Sequence, residues 1–122
     1  MATIDILIPT DNRPAALAVT LTSLCAQSYR NFRLVISDQT EEYDPLTTGE
    51  VQAALNVLAA HGHEIETHKH LPRKGLAEQR QFLLAQVTAT SALYLDDDLI
   101  LEPWVVLDFG MSCSLSIVEK MF

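Results

Sequence analysis

The chain is short of cations. Eight Lys and Arg stand against sixteen Asp and Glu in 122 residues, a formal net charge of −8, and without clustered positive charge there is nothing to grip a nucleic-acid backbone. No uncharged apolar run reaches the ~18–20 residues that span a bilayer. The opening Met1-Ala2-Thr3-Ile4-Asp5 has no basic segment leading into an apolar one, so no signal peptide is expected. Cysteine is nearly missing. Cys25 and Cys113 lie far apart without Cys-x-x-Cys spacing, and nothing asks for an oxidising compartment. Ser37 and Ser91 lack the His and Asp arrangement of a hydrolase nucleophile. There are no repeats, low-complexity tracts or linkers, and an apolar fraction of 48% excludes disorder. These absences leave one domain over residues 1–122, expected to be soluble and cytoplasmic.

The apolar pattern that remains alternates strand and helix. Ile4-Asp5-Ile6-Leu7-Ile8 reads as a buried strand stopped by Pro9. Thr10-Asp11-Asn12-Arg13 forms a turn, and Pro14 suits the first turn of a helix carrying Leu17, Leu21, Leu24 and Cys25 on one stripe. That placement makes Cys25 a buried free thiol. Phe32 to Ser37 is a second strand ending at Asp38. After a polar loop, Val51, Leu55, Leu58 and Ala59 mark a second helix ended by Gly62. Glu64 to Leu71 is a third, more exposed strand, and Pro72-Arg73-Lys74-Gly75 a loop. Leu76, Arg80, Leu83, Leu84 and Val87 mark a third helix, and Ser91 to Leu95 a fourth strand. Strands that alternate with helices run parallel through right-handed crossovers. The fold class is therefore α/β, a three-layer α/β/α arrangement around a mostly parallel, Rossmann-like sheet. Beyond Pro103, Trp104 to Phe109 suits a short helix ended by Gly110, with Trp104 packed in the core. The period-two alternation from Ser112 to Ile117 suits a strand.

The most pointed feature is the end of that fourth strand, where Leu93-Tyr94-Leu95 runs into Asp96-Asp97-Asp98. Unit charges ~5 Å apart at an effective dielectric of ~20 cost about 3 kcal/mol per pair. Three adjacent acids at a strand end therefore make most sense beside something positive. A hard cation such as Mg²⁺ or Mn²⁺ takes one or two carboxylates and shares its shell with substrate phosphates. In open parallel sheets ligands bind beyond the carboxyl ends of the strands. Here those ends carry Pro9, Thr10, Asp11 and Arg13, then Asp38, then the acid triplet, with Arg73, Lys74, Gly75 and Arg80 around the start of the third helix. Acids from several strand ends, with cations beside a helix N-terminus, describe a pocket for a nucleotide diphosphate held through a metal.

Four stretches, Ile6-Leu-Ile-Pro-Thr-Asp-Asn-Arg13, Leu34-Val-Ile-Ser-Asp38, Lys74-Gly-Leu-Ala-Glu-Gln-Arg80 and Leu93-Tyr-Leu-Asp-Asp-Asp98, follow one another at spacings that resemble family 2 glycosyltransferases. The resemblance runs from about residue 4 to 104. It includes the Gln27 to Phe32 lead-in to the second strand. It implies the GT-A fold and binding of a nucleotide-diphosphate sugar, a UDP-sugar foremost, with Mn or Mg as cofactor. Carried over by position, Pro9 and Thr10 line the base or ribose and Asp38 accepts a hydrogen bond from the base. Asp96 and Asp98 match the family's Asp-x-Asp motif and hold the metal, with Asp96 and Asp97 reaching the ribose or sugar. Arg13, Lys74, Gly75 and Arg80 lie near base or phosphate. The family usually follows the second-strand Asp with Asp-Gly-Ser, where this chain has Gln39-Thr40, and its third helix reads Ala-Arg-Asn, where this chain has Gln79-Arg80-Gln81. The family's acceptor half, which supplies the general base for transfer, has no counterpart after Trp104. The chain thus reads as a truncated donor-binding half.

Two rival readings and several side constellations stand beside this one. A non-catalytic interaction fragment would keep the fold without the nucleotide. A phosphoacceptor receiver domain wants an acidic pair after its first strand, where this chain has only Asp11, and a Lys after its fifth. His61, His63, His68 and His70 form two His-x-His pairs; with no Cys nearby they read as a helix end and an exposed edge strand rather than zinc ligands. Glu64 and Glu66 read as edge-strand charges. Glu41, Glu42 and Asp44 suit a solvated loop, and Tyr29 and Phe32 the core. Val105, Val106, Leu107, Phe109, Met111, Leu115, Ile117, Met121 and Phe122 form an apolar tail that needs cover, which predicts a homo-oligomer.

Overall fold

A computed structural model describes residues 2–112 and 117–120. Five strands, β1 (Ile4–Thr10), β2 (Phe32–Asp38), β3 (Ile65–Lys69), β4 (Ser91–Leu95) and β5 (Ile117–Lys120), alternate with helices α1 (Pro14–Cys25), α2 (Gly49–Ala60), α3 (Leu76–Ala85) and α4 (Val105–Ser112). All neighbouring strands pair in parallel, in the order β3-β2-β1-β4-β5. The chain winds outward from β1 to β3, then crosses back to place β4 on the other side of β1. That reversal leaves a crevice at the carboxyl ends of β1 and β4. No helix among the described residues is long and apolar enough to cross a membrane.

Strand alternation divides the core in two. Ile4, Ile6 and Ile8 of β1, with Leu34 and Ile36 of β2, face α1, α2 and α4 and build the larger cluster, which includes Leu17, Leu21, Val51, Leu58, Val106 and Phe109. Leu7, Val35 and Ala92 point the other way and meet Leu83 of α3. Helices on both faces explain why β1 and β2 read as nearly continuous apolar runs and are buried along their whole length. The exposed strand is β3, at the sheet edge.

Several expectations are revised. Pro9 does not stop β1, which continues to Thr10. The β4 ladder ends at Leu7–Tyr94, so past that point one side of the strand no longer asks for the donor that proline lacks. On α2 it is Ala54, not Ala59, that joins Val51 and Leu58 in the core. Helix α4 runs through Gly110 to Ser112. A Cβ at Gly110 would lie 3.2 Å from Ile4 Cδ1, so the missing side chain lets α4 lie close on β1 instead of ending the helix. Trp104 is 57% exposed rather than packed inside. The apolar tail has an intrachain home in large part: Val105, Val106 and Phe109 are buried in the chain's own core, while Leu107 and Met111 stay exposed. Ile117 pairs with Ala92 through β5, and Leu115, Met121 and Phe122, like Cys113, lie outside the described residues. Cys25 is only partly buried; it packs against the core and is a free thiol.

The polar end of the sheet, opposite the crevice, holds a buried ion pair on the thin side. Arg33 on β2 meets Asp5 on β1 through two bonds, Nε to Oδ1 at 3.1 Å and Nη2 to Oδ2 at 3.0 Å. The same guanidinium bonds Glu66 at 3.2 Å and the Gln86 carbonyl at 2.8 Å. Glu66 and Glu64 therefore serve as outer partners of Arg33 as well as edge charges. Burial pushes the Asp5 carboxyl up, but the bonds from Arg33 and from the Thr88 and Ala89 amides outweigh it, and its pKa lies below the ordinary value. A depressed carboxyl pKa stabilises the fold above the unfolded pKa and loses that contribution as pH falls through the folded one. The melting-temperature advantage of wild type over Asp5→Asn is thus expected to be largest at neutral pH and to shrink below about pH 4. Thermal melts of both proteins across that range check this; a difference that does not vary with pH would contradict it.

Candidate functional site

The crevice at the carboxyl ends of β1 and β4 is an open cleft of ≈430 Å³, within the size range of small-molecule sites. Pro9, Thr10, Asp11, Arg13, Gln39, Arg73, Gly75, Leu76, Gln79 and the three acids Asp96, Asp97 and Asp98 line it. The wall after β1 is a tight turn. Asn12 adopts φ +56°, a left-handed conformation that Asn tolerates better than most residues. Its backbone N–H donates to Thr40 Oγ1 at 2.7 Å, and its side-chain oxygen accepts from the Tyr43 hydroxyl at 2.6 Å. This turn aims Arg13 across the cleft, and Pro14 starts α1 without a side-chain cap from Arg13. The opposite wall starts at Gly75, whose φ of +99° as the N-cap of α3 favours glycine. Below the floor, Gln79 is buried and its Nε2 donates to the carbonyls of Ser37 at 2.6 Å and Thr10 at 3.1 Å, tying the ends of β1 and β2 together.

The acids are not equivalent. Asp97 is buried, with Oδ2 accepting from Thr10 Oγ1 at 2.8 Å and Oδ1 3.3 Å from Arg13. Burial pushes its carboxyl up, and the neighbouring Asp98 charge adds to that against the opposing pull of Thr10 and Arg13. Asp98 is about half exposed and takes Arg13 Nη2 at 2.7 Å; Asp96 is intermediate. Arg13 is held above its ordinary pKa by the bond to Asp98 and by the charges of Asp97 and Asp96. Among the described residues, the positive partner of the triplet is therefore the half-exposed Arg13 guanidinium. On the β2 side, Arg73 grips Asp11 with 2.9 Å contacts to both carboxylate oxygens.

Of the expected site residues, Pro9, Thr10, Arg13, Gly75, Asp96, Asp97 and Asp98 come together in the cleft, and Asp38, Lys74 and Arg80 do not line it. Asp38 is fully buried. One carboxylate oxygen accepts from the Thr40 amide at 3.0 Å and hydroxyl at 2.7 Å, the other from Lys69 Nζ at 2.5 Å. Lys69 comes from β3 and also bonds the carbonyls of Thr40 and Tyr43, so this carboxylate is spent on closing the β2 loop. Lys74 is solvent-exposed. Arg80 turns to the Tyr94 ring, 5.4 Å from its centroid. Asp11, Gln39, Arg73, Leu76 and Gln79 complete the lining.

Among the described residues, no group of three or more His, Cys, Asp and Glu could hold a metal ion alone. The His pairs are engaged elsewhere. His63 stacks on Phe32, and His70 stacks on Phe82 while bonding Glu78. The all-oxygen donors Asp96 and Asp98 do fit a hard cation that draws its remaining ligands from phosphate and water.

A model of the family described as Glycosyl transferase family 2 matches residues 5–107. The chain belongs to that family. No curated protein matches it. Among solved structures, S. aureus TarS 1-349 in complex with UDP-GlcNAc is similar at a TM-score of 0.71 and 19% identity, over 91% of this chain and 30% of that one. The mannosyltransferase PcManGT from Pyrobaculum calidifontis, in complex with GDP-Man and Mn²⁺, is similar at 0.60 and 18%, over 79% of this chain and 27% of that one. The chain thus spans about a third or less of the structures it matches, and the GT-A fold is what these likenesses share.

The family 2 pattern also marks where this member diverges. Gln39-Thr40 replaces the usual acidic continuation after β2, and Thr40 is one of the groups that consume Asp38. Gln79 stands at the alanine position of the third-helix signature and has become the tie between β1 and β2. That departure was the sequence signal for Gln79. Lys69 had none, because only the β2–β3 register places it opposite Asp38.

Proposed function

We propose that the cleft binds a nucleotide-diphosphate sugar, a UDP-sugar foremost, through Mn²⁺ or Mg²⁺ at Asp96 and Asp98, as the donor site for glycosyl transfer to an acceptor hydroxyl. The observation that carries this reading is the acid triplet opening into the crevice between β1 and β4, walled by Thr10, Arg13 and Gly75. The complexes of TarS with UDP-GlcNAc and with UDP support the choice of uridine nucleotide, and that of PcManGT the choice of metal.

When bound, the cation supplies Lewis-acid stabilisation of the charge that develops on the leaving diphosphate. The chain's own residues do the rest of the binding. Thr10 holds Asp97 in place, which sets the direction of the triplet. Arg13 exchanges part of its hold on Asp98 for phosphate oxygens, and Lys74 adds a solvated charge next to the α3 N-terminus, whose amides favour anions. Pro9 and Thr10 form the floor under ribose and base. The base that deprotonates the acceptor comes from outside this lining.

One observation favours a second reading. Arg13 already neutralises Asp97 and Asp98, as it would in a non-catalytic interaction domain that keeps the fold without its nucleotide. Isothermal titration with UDP, and with GDP, CDP and dTDP as comparators, with and without Mn²⁺, separates the two. Mn²⁺-dependent binding of UDP above the others is the expected result. No binding of any of the four at millimolar Mn²⁺ would move the interaction reading to the front.

A further inference from the structure

Strand β3 ends the sheet and pairs with β2 alone. Two bonds show which of its backbone groups are used: the Leu34 N–H donates to the Glu64 carbonyl at 2.9 Å, and the His70 N–H donates to the Asp38 carbonyl at 2.8 Å. Residues that bond a given neighbour alternate along a strand, so Glu64, Glu66, His68 and His70 turn their N–H and C=O groups to β2. Ile65, Thr67 and Lys69 turn theirs to the open edge, where Thr67 and Lys69 are exposed. Such an edge is a template for one more strand.

The side chains say which strand fits. In Glu64-Ile65-Glu66-Thr67-His68-Lys69-His70, two acids precede Thr67 and two imidazoles follow it, all four on one face by period-two alternation. A second copy running antiparallel about a two-fold axis at Thr67 sets Glu66 opposite His68 and Glu64 opposite His70. The same register sets Thr67 opposite Thr67 and Ile65 opposite Lys69, the residues whose backbone groups face outward, so these pairs exchange the N–H···O bonds. The acid–imidazole pairs then take the non-hydrogen-bonded positions, where side chains approach most closely. Neighbouring registers fail: an axis at Ile65 brings Glu64 against Glu66, and one at Lys69 brings His68 against His70. The acids have reach to spare, since Glu64 is 74% exposed and meets Arg33 only at 3.9 Å, while the Lys69 ammonium is spent on Asp38. We infer that the β3 edge is a self-recognition surface whose partner is a second copy of this chain, joined through antiparallel β3 strands centred on Thr67. Residues 64–70 do not line the cleft, so the two copies would form one continuous sheet with their crevices open at opposite ends. A contact of this kind falls in the small, transient class, below about 1,200 Å².

The test is association state with matched thermal melts. Sedimentation velocity of the wild type from about 5 to 500 µM, the range suited to a weak interface, is expected to show mass rising from monomer toward dimer. Thr67→Pro removes an N–H that faces away from β2, at an edge position that tolerates proline, and is expected to stay monomeric throughout. His68→Glu sets like charges opposite one another and is expected to weaken association about tenfold. Thr67→Cys places two thiols on the axis, their Cα atoms about 5.5 Å apart and within disulfide range; mild oxidation should link it into a dimer that wild type, with Cys25 and Cys113, does not form. Where Thr67→Pro fails to melt cooperatively, His68→Glu and Thr67→Cys carry the decision. A wild type that stays monomeric over the whole range, or a dimer that persists unchanged in Thr67→Pro and His68→Glu, overturns the inference. Loss of the dimer in Thr67→Pro without a crosslink in Thr67→Cys overturns the register centred on Thr67.

Discussion

Arg33→Met is expected to destabilise the protein by about 3 kcal/mol, the lower end of what removing one partner of a buried ion pair costs. The Asp5 side chain is 1% exposed and that of Arg33 7%, so solvent cannot take over the abandoned carboxylate. The amides of Thr88 and Ala89 continue to hold Asp5 Oδ2 at 2.8 and 3.1 Å, which keeps the loss from the upper end of the range. For a chain of this size the change corresponds to a fall of roughly 10–15 °C in melting temperature. Replacing both partners, Asp5→Leu with Arg33→Met, removes the charge along with its counter-ion and is expected to recover much of the loss. Circular-dichroism melts of the two variants decide it. A single variant that melts within a few degrees of wild type would mean that water reaches Asp5 and that the pair matters little.

Asp98→Ala is expected to act on binding instead. Its carboxylate is about half exposed and, among the described residues, is held by Arg13, so its removal leaves no cavity and costs about 0.5 kcal/mol or less in stability. On the proposed reading it removes a direct ligand of the cation. Loss of even an outer-shell partner weakens metal affinity by roughly 10–100-fold, and Mn²⁺-dependent binding of UDP should fall by at least that much. Asp97→Asn is the contrast. Asp97 is buried and held by Thr10, and the amide oxygen can still accept that bond, so binding should fall less than in Asp98→Ala. Titration calorimetry with matched melts separates the two effects. Unchanged UDP binding by Asp98→Ala would take the metal away from that carboxylate.

The two expectations show how unevenly a sequence speaks. The ion pair behind the first was invisible: Asp5 and Arg33 each sit in an apolar run and read as interruptions of it. They become a pair only because parallel pairing sets Asp5 opposite Arg33 and both point to the α3 side. The acid triplet behind the second was plain, since like charges crowded at a strand end need a partner wherever the rest of the chain lies. Local rules failed in a consistent way. By local rules Pro9 ends a strand, Gly110 ends a helix and Trp104 belongs in the core. In each case the neighbour that decides the outcome is distant in sequence: β4, which leaves Pro9 unpaired on one side, Ile4, which packs closely on Gly110, and the β1 face that α4 covers with Val106 and Phe109 instead.

What the chain determines by itself is its order of strands and helices, the burial of β1 and β2 on both faces, and the presence of clustered acids at a strand end. These follow from apolar periodicity and local charge, which need only neighbouring residues. The tertiary structure alone decided which charges cancel. Lys69 reaches Asp38 across the β2–β3 pair, Thr10 at the end of β1 and Arg13 in the turn after it reach the acids, and Gln79 ties two strand ends from a helix. Each of these contacts joins residues that parallel crossovers bring side by side from far along the chain. Hydrogen bonds and ion pairs act over a few ångströms, so their partners are settled by topology and register and not by spacing in sequence.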